Sequence, residues 1–392
     1  MLNLGVTYFV ADNYEGAKRL LKEVSYIGKV RGTADPAIAG LYLQAQFLGL
    51  RGKVEEATSL CQQGLELATE RRWLATYAGV LVQVALADLL REQNQLEAAA
   101  QHLTQSIDRA IQNQQPGLMM GYITLARVRL SQGDLRAAWA AIHGAEHCQP
   151  WLWPTILTVE ACKVRLYLAE GNLDSAIAWV EKSNLSVEGE LRYSITEQCP
   201  TGSELDYLTY ARVLLAYGQL QDALRLLTRL HEFAQTGGRT IRVMETLLLQ
   251  ALVLQAQGDR EESLNYLNQA LNISRQGNYI RLFLDEGKPM AELLQHALSN
   301  NVHSPEVNCL LAAFGLEQNK SVSVSALIEP LTDRELEVLD YLATGMSNQA
   351  IADQLFVSLA AVKWHARNIY GKLEVNNRTQ AVAKARELGL LS

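Results

Sequence analysis

Along most of the chain, apolar residues recur three and four positions apart, the spacing that gathers them on one stripe of an α-helix. Seven short polar interruptions of one form punctuate the pattern: NYEGA, GKVEEA, NQLEAA, GDLRAA, GNLDSA, GQLQDA and GDREES. The shared form is a Gly or Asn turn, a hydrophobic residue (Arg260 in the last) and then a small residue. The small residues fall at Ala17, Ala57, Ala99, Ala138, Ala176, Ala223 and Ser263, at intervals of 40, 42, 39, 38, 47 and 40. Each unit therefore reads as a helix, a turn at the Gly or Asn, a second helix and a looser connection. Pro36, Pro116, Pro150, Pro154 and Pro200 fall in those connections or at first helical positions, where a missing N–H costs little. A small residue at the same place in every unit lets two helices approach closely. No single pair can bury its apolar face alone, so stacking is obligatory.

This periodicity, over about residues 2–277, resembles a tetratricopeptide-type superhelix with an elongated period. The expected fold is all-α, a right-handed superhelix of helix pairs. Six residues before each turn stand Gln46, Asp88, Arg127, Arg165, Arg212 and Leu252, a position that faces the groove in tetratricopeptide arrays. Arg127, Arg165 and Arg212 occupy it in three successive units. They form a candidate clamp for an anionic effector or a partner's carboxylate, because guanidinium binds either bidentately. The alternative is a set of ion pairs between repeats, with residues such as Glu160 and Glu170.

The length of this region, and the following segment NYIRLFLDEGKPMAELLQHAL, resemble the helical-repeat part of the large ATP-dependent LuxR regulators. Those proteins carry an ATPase module ahead of the repeats. No G-x-x-x-x-G-K-[ST] loop occurs here, and Gly52-Lys53, Gly287-Lys288 and Gly371-Lys372 are each followed by the wrong residue. Either the chain is a short variant or it begins inside a longer one. Residues 1–285 are assigned to the repeat domain and 286–318 to helices that cap its open end, starting near Pro289 and Pro305. The polar stretch 319–330, ending in Pro330, is assigned to a linker.

In residues 331–392 the pattern changes to four short helices. Thr332 and Glu335 have capping-box spacing, Gly345 offers a stop, and Ser347 caps a second helix to Leu355. Ser358 caps a third to about Leu373, and a fourth runs from about Thr379 to Leu388. Val362, Ala366, Ile369 and Leu373 make one apolar face of the third helix, which must pack on Leu339, Ile351 and Leu355. That leaves Lys363, Trp364, Arg367, Asn368 and Gly371 facing out. Charge is segregated. Residues 330–357 hold one Lys/Arg and five Asp/Glu, whereas 358–392 hold six and two.

The run LTDRELEVLDYLATGMSNQAIADQLFVS followed by VKWHARNIYGKLEVNNRTQAVAKARELGLL resembles the LuxR-type helix-turn-helix domain along its whole length. The resemblance implies a four-helix module whose third helix enters the major groove of double-stranded DNA. Lys363, Trp364 and Arg367 stand at the family's DNA-contacting positions, and Ser358, Asn368, Lys372 and Arg378 complete the candidate DNA face. It also implies pairing of two modules on DNA through the last helix, with Ala381, Val382, Ala385 and Leu388 as its apolar strip. Leu359 and Ala361 depart from the Glu and Thr usual there, which removes a phosphate donor and affects positioning more than base choice.

Composition fits an ordinary folded chain. The 392 residues are 48% hydrophobic and 20% charged, enough for a large core. The N-terminus lacks a basic n-region, and no run approaches the roughly 18 apolar residues a membrane span needs. The five cysteines, Cys61, Cys148, Cys162, Cys199 and Cys309, are scattered and read as reduced, mostly buried thiols of a cytoplasmic protein. The formal net charge of −7 confines DNA contact to the C-terminal end. His143, Glu146 and His147 have the H-x-x-E-H spacing of an inverted zinc-protease motif, but no third ligand is evident, so they are ascribed to packing and solvent and no metal or cofactor is expected. Trp139, Trp151, Trp153 and Trp179 read as core. The reading is a transcription regulator, not an enzyme, whose repeat arm senses an effector or partner. A helical-repeat scaffold with a silent DNA module is the alternative.

Overall fold

The computed structural model describes residues 14–113, 118–148, 158–189, 191, 204–275, 277, 279–300, 305–315, 333–355, 359–373, 375 and 377–387. At 364, 367, 368 and some other positions of the last helices, only the backbone is described. The described elements are all α-helices, and they fall into two units, Met1–Leu316 and Glu317–Ser392.

In the first unit, the second helix of each pair is α1 (Tyr14–Arg31), α3 (Val54–Glu70), α5 (Leu96–Gln112), α7 (Leu135–Glu146), α9 (Leu173–Ser183), α11 (Leu220–Thr236) and α13 (Arg260–Ser274). The first helices are α2 (Ala34–Leu50), α4 (Tyr77–Glu92), α6 (Leu118–Ser131), α8 (Val159–Glu170), α10 (Glu204–Tyr217) and α12 (Thr240–Gln257). Local chemistry explains the boundaries. Asp134, Asn172 and Asp259 side chains accept the N–H three residues on, satisfying donors at the starts of α7, α9 and α13. Thr76 and Thr158 do the same for α4 and α8.

All seven repeat residues, from Ala17 to Ala223 and Ser263, are fully buried at the helix crossings. Ser263 keeps its hydroxyl there by donating to the Ala251 carbonyl at 2.7 Å. Around them lie fully buried leucines and isoleucines such as Leu21, Ile38, Leu103, Ile142 and Leu226. Each contributes about 1.5–3 kcal/mol by leaving water.

The curl of the array brings its two ends together. Val54, which opens α3, shares a core cluster with Met244, Leu248 and Phe283. Gly52 sits at φ +83, and a Cβ there would meet the Tyr279 hydroxyl at 3.0 Å, so the α2–α3 turn needs glycine on both counts.

After α13 come the short α14 (Ile280–Leu284), α15 (Gly287–Ser299) and α16 (Pro305–Ala313). Phe283 of α14 is fully buried, and Met290, Leu294 and Val307 extend the same core. Cap and repeats therefore form one body, and the expected boundary at 285/286 falls within the turn that joins α14 to α15. The expected linker, 319–330, lies outside the described residues.

The second unit has α17 (Asp333–Ala343), α18 (Asn348–Gln354), α19 (Leu359–Lys372) and α20 (Arg378–Glu387). Ser347 caps α18 by accepting from the Ala350 N–H, and Gly345 takes the left-handed conformation just after α17. The expected apolar face of α19 is the core. Val362, Ala366, Ile369 and Leu373 are buried against Leu339, Ile351 and Leu355. Thr332 and the Phe356–Ser358 turn lie outside the described residues.

Candidate functional site

The first helices of the pairs line the lumen of the array. Gln46, Asp88, Arg127, Arg165 and Arg212 all border one cavity of about 210 Å³. The equivalence read from the repeat is therefore real in space, and the three arginines share a surface.

Each arginine is also engaged in a charged pair, with partners other than those expected. Arg127 Nη1 donates to Asp88 at 2.5 Å, one repeat back at the same position, and Arg127 Nη2 donates to Glu92 at 3.3 Å. Arg165 reaches Glu286 at 3.3 Å and the Asp285 carbonyl at 2.9 Å. Arg212 sits between Glu245 at 2.7 Å and Glu286 at 2.6 Å. Of the expected partners, Glu160 pairs with Lys163 and Glu170 accepts from the Trp139 indole.

Residues that the repeat did not single out complete the site. The Asp285–Glu286 turn after α14 projects two carboxylates into the lumen. Asp285 pairs with Arg91, 194 positions away, and with Arg281, and it accepts from the Ser131 hydroxyl at 3.2 Å. Arg242 supports Glu245 at 2.7 Å. One acidic turn thus ties together α4, α6, α8 and α10, four successive first helices.

Burial raises the stakes of this network. Arg91, Arg212, Glu245 and Glu286 side chains are at most 10% exposed. Burial by itself pushes a carboxyl upward, yet Arg212 and Arg242 hold Glu245 down at about 2, and Arg91, Arg281 and Arg165 hold Asp285 at about 2. Burial and the neighbouring Arg212 lower Arg165, the least compensated cation of the row. Burial raises Glu92. Among the described residues, Arg91 Nε, Glu92 Oε2 and the Tyr279 hydroxyl are buried without a hydrogen-bond partner, and all three residues line the cavity.

Other expectations resolve simply. His147 Nδ1 lies 2.7 Å from the His143 carbonyl, and Glu146 pairs with Lys163 at 3.0 Å, so the H-x-x-E-H residues serve the end of α7. Cys61 and Cys162 are buried thiols, pushed up by burial to about 12 and about 11. Cys148 is half-buried, but Cys309 is exposed. Trp179 is buried, whereas Trp139 is half-exposed beside Tyr167. Trp151, Trp153 and Cys199 lie outside the described residues.

In the second unit, Lys363 is exposed on α19, and Trp364, Arg367 and Asn368 are placed on the same helix between its buried positions. Ser358 lies outside the described residues. Two of the expected DNA-facing cations have partners inside the module. Lys372 Nζ donates to Glu335, a residue only 3% exposed, at 2.8 Å. Arg378 donates from both terminal nitrogens, at 2.6 Å, to the Leu342 and Met346 carbonyls, closing the C-terminal end of α17. The apolar strip expected on α20 is corrected. Ala381 and Ala385 are fully buried in the module's own core, Val382 is half-buried, and Leu388 lies outside the described residues.

Two family models match the chain: the MalT-like TPR region over residues 1–300, and bacterial regulatory proteins of the luxR family over residues 329–385. Similar curated proteins include the HTH-type transcriptional regulator MalT of Vibrio cholerae, 24% identical over 98% of this chain and 44% of that protein. The HTH-type transcriptional regulator MalT of Serratia proteamaculans is 24% identical over 90% of this chain and 41% of that protein. The chain spans less than half the length of these relatives. A solved tetratricopeptide repeat protein from Parabacteroides merdae covers 71% of this chain, and 98% of that chain is matched, at 14% identity and a TM-score of 0.34. With its repeats matched from residue 1 to residue 300 and a luxR-family module behind them, the chain belongs to the MalT-like TPR family.

Proposed function

We propose that the chain regulates transcription by binding double-stranded DNA through α19, with Lys363, Trp364, Arg367 and Asn368 as the DNA face. Lys372 and Arg378 hold the module together behind it. The observation that carries this reading is the packing of α19. Its buried stripe is complete on α17 and α18, which leaves Lys363 exposed at the second turn of the helix, within a module matched to the luxR family. Relatives named as transcription regulators support it.

Two modules pair on half-sites about one helical turn apart, because one short module makes too few contacts for tight binding alone. The repeat arm senses an effector or partner through the lumen, where the arginine row borders a cavity whose lining residues include three with a buried, unpartnered polar atom. Selection of bound sequences from random DNA, followed by gel-shift competition, tests the DNA reading. A defined motif with paired half-sites is the expected result. Equal binding to all sequences, or none, would favour a helical-repeat scaffold.

A further inference from the structure

The lumen's charge is balanced only because the chain supplies its own anions. Among the described residues, five arginines border the cavity, namely 91, 127, 165, 212 and 242, against five carboxylates, namely 88, 92, 245, 285 and 286. Three of those carboxylates belong to the lining helices themselves. Asp285 and Glu286 belong to a turn 40 or more residues further along the chain. Without that pair, five arginines would face three carboxylates.

We propose that the arginine row is an anion site occupied by the chain's own Asp285–Glu286 turn, and that an external anion carrying about two negative charges takes the place of those carboxylates. Inorganic phosphate, a phosphate monoester and a dicarboxylate share the chemistry required: several oxygens, a charge near −2 and planar or tetrahedral edges that guanidinium grips bidentately.

The arrangement of the turn makes exchange feasible. Phe283 is fully buried, so α14 stays anchored while the two acidic side chains rotate away from the row. Gly287, immediately after them, sits at φ +67 with open space where a Cβ would be, which gives the turn freedom at its far end. The helices left behind keep partial pairing. Arg127 retains Asp88, Arg91 retains Glu92 and Arg212 retains Glu245. Arg165 retains no carboxylate. Among the described residues its one ion pair is with Glu286, at 3.3 Å, which makes it the residue that an incoming anion satisfies first.

Exchange also has a mechanical consequence. Because the turn bonds to residues of α4, α6, α8 and α10, replacing it with a free anion cuts the tie between those helices and the cap that leads toward the C-terminal module. The sensing role of the lumen in this account rests on the function proposed above, whereas the anion site itself does not.

The test uses the full chain with inorganic phosphate as the probe, read by titration calorimetry and by the thermal midpoint. Asp285→Asn with Glu286→Gln keeps side-chain size and removes the resident charges. A site freed of its occupant binds without the competition, so phosphate affinity should rise by at least about tenfold over the parent chain. Adding Arg165→Gln to the double variant should abolish the gain. The general salting effect of phosphate acts on all three proteins alike and is subtracted by that comparison. If the double variant fails to fold, Glu286→Gln alone, which leaves the Asp285 pairs in place, should show a smaller gain. Equal affinity in parent and variant, or a gain that survives Arg165→Gln, overturns the proposal. Phosphate binding that behaves as expected while reporter output ignores phosphate would leave the anion site standing and remove its role in sensing.

Discussion

Arg212→Gln is the substitution that best separates a charged lumen from a merely packed one. Arg212 is 9% exposed and bridges two carboxylates, Glu245 at 2.7 Å and Glu286 at 2.6 Å. Removing one member of a buried ion pair costs about 3–5 kcal/mol, because the remaining charge stays desolvated. Here each carboxylate keeps a second arginine, Arg242 at 2.7 Å for Glu245 and Arg165 at 3.3 Å for Glu286. The expected loss therefore lies at the lower end, about 3 kcal/mol.

Arg165→Gln is the internal control. Its side chain is 24% exposed and holds one longer pair and one carbonyl. It should cost about 1 kcal/mol. The assay is urea unfolding followed by helical circular dichroism at neutral pH, repeated on acidification.

Acid supplies the second arm. The Glu245 carboxyl titrates at about 2 in the fold. A folded value depressed below about 4.3, the unfolded one, contributes stability that is complete above pH 5 and is lost as pH falls toward 2, in all about 3 kcal/mol. With one of its two arginines gone, Glu245 titrates higher, so Arg212→Gln should lose less stability over that window than the parent. If Arg212→Gln unfolds within about 0.5 kcal/mol of the parent, the size of an ordinary surface change, and shows the same acid dependence, the lumen pairs are not stabilising charges and the argument fails.

Other expectations concern the C-terminal module. Arg367→Ala should cost about 1–3 kcal/mol of DNA affinity and relax preference at one base position, whereas uniform loss on every sequence would mean a phosphate contact only. Lys372→Ala should lower the module's melting by the equivalent of about 1–3 kcal/mol, since Glu335 is left buried without that partner. Below its melting temperature, that variant should keep the parent's salt dependence of DNA binding, and a reduced slope would return Lys372 to the DNA face. Val382→Asp, at a half-buried position of α20, should abolish cooperative footprints on paired half-sites with little change in melting. A monomer that fills one half-site at full affinity would refute pairing.

What was legible in the sequence was whatever a repeat imposes locally. The small residue after each turn could be read because steric demand at a helix crossing recurs with every unit, and all seven such residues are buried. Arg127, Arg165 and Arg212 could be placed on one surface for the same reason. On α20 the same kind of reasoning misled. Ala381 and Ala385 form an apolar strip in projection, and a strip alone does not say whether it faces its own module or a second copy. The three-dimensional core claims both alanines. Lys372 and Arg378 show what charge alone leaves open, because a cation near a DNA-reading helix looks the same in sequence whether it meets a phosphate, a buried carboxylate or a helix-end carbonyl.

The acidic turn shows where local reading ends. Asp285 meets Arg91 at a separation of 194 residues, and Glu286 meets Arg212 at 74. No period in the sequence relates these positions, because they are brought together by the cumulative rotation of the intervening helix pairs, five for Arg91 and two for Arg212, and a one-residue change in any of those connections would alter it. Three arginines at one repeat position therefore announced a shared surface without announcing what fills it. Like charges so placed repel one another in a desolvated lumen, and stacking offsets only part of that cost, by setting Asp88 and Glu92 against Arg127 and Glu245 against Arg212 while leaving Arg165 to the turn. The fold is consistent only if something anionic lies between them, and the turn supplies it from the chain. Withdrawing the turn's carboxylates would therefore do two things at once: it would take from Arg165 the carboxylate it pairs with, and it would break the bonds that join the cap to α4, α6, α8 and α10.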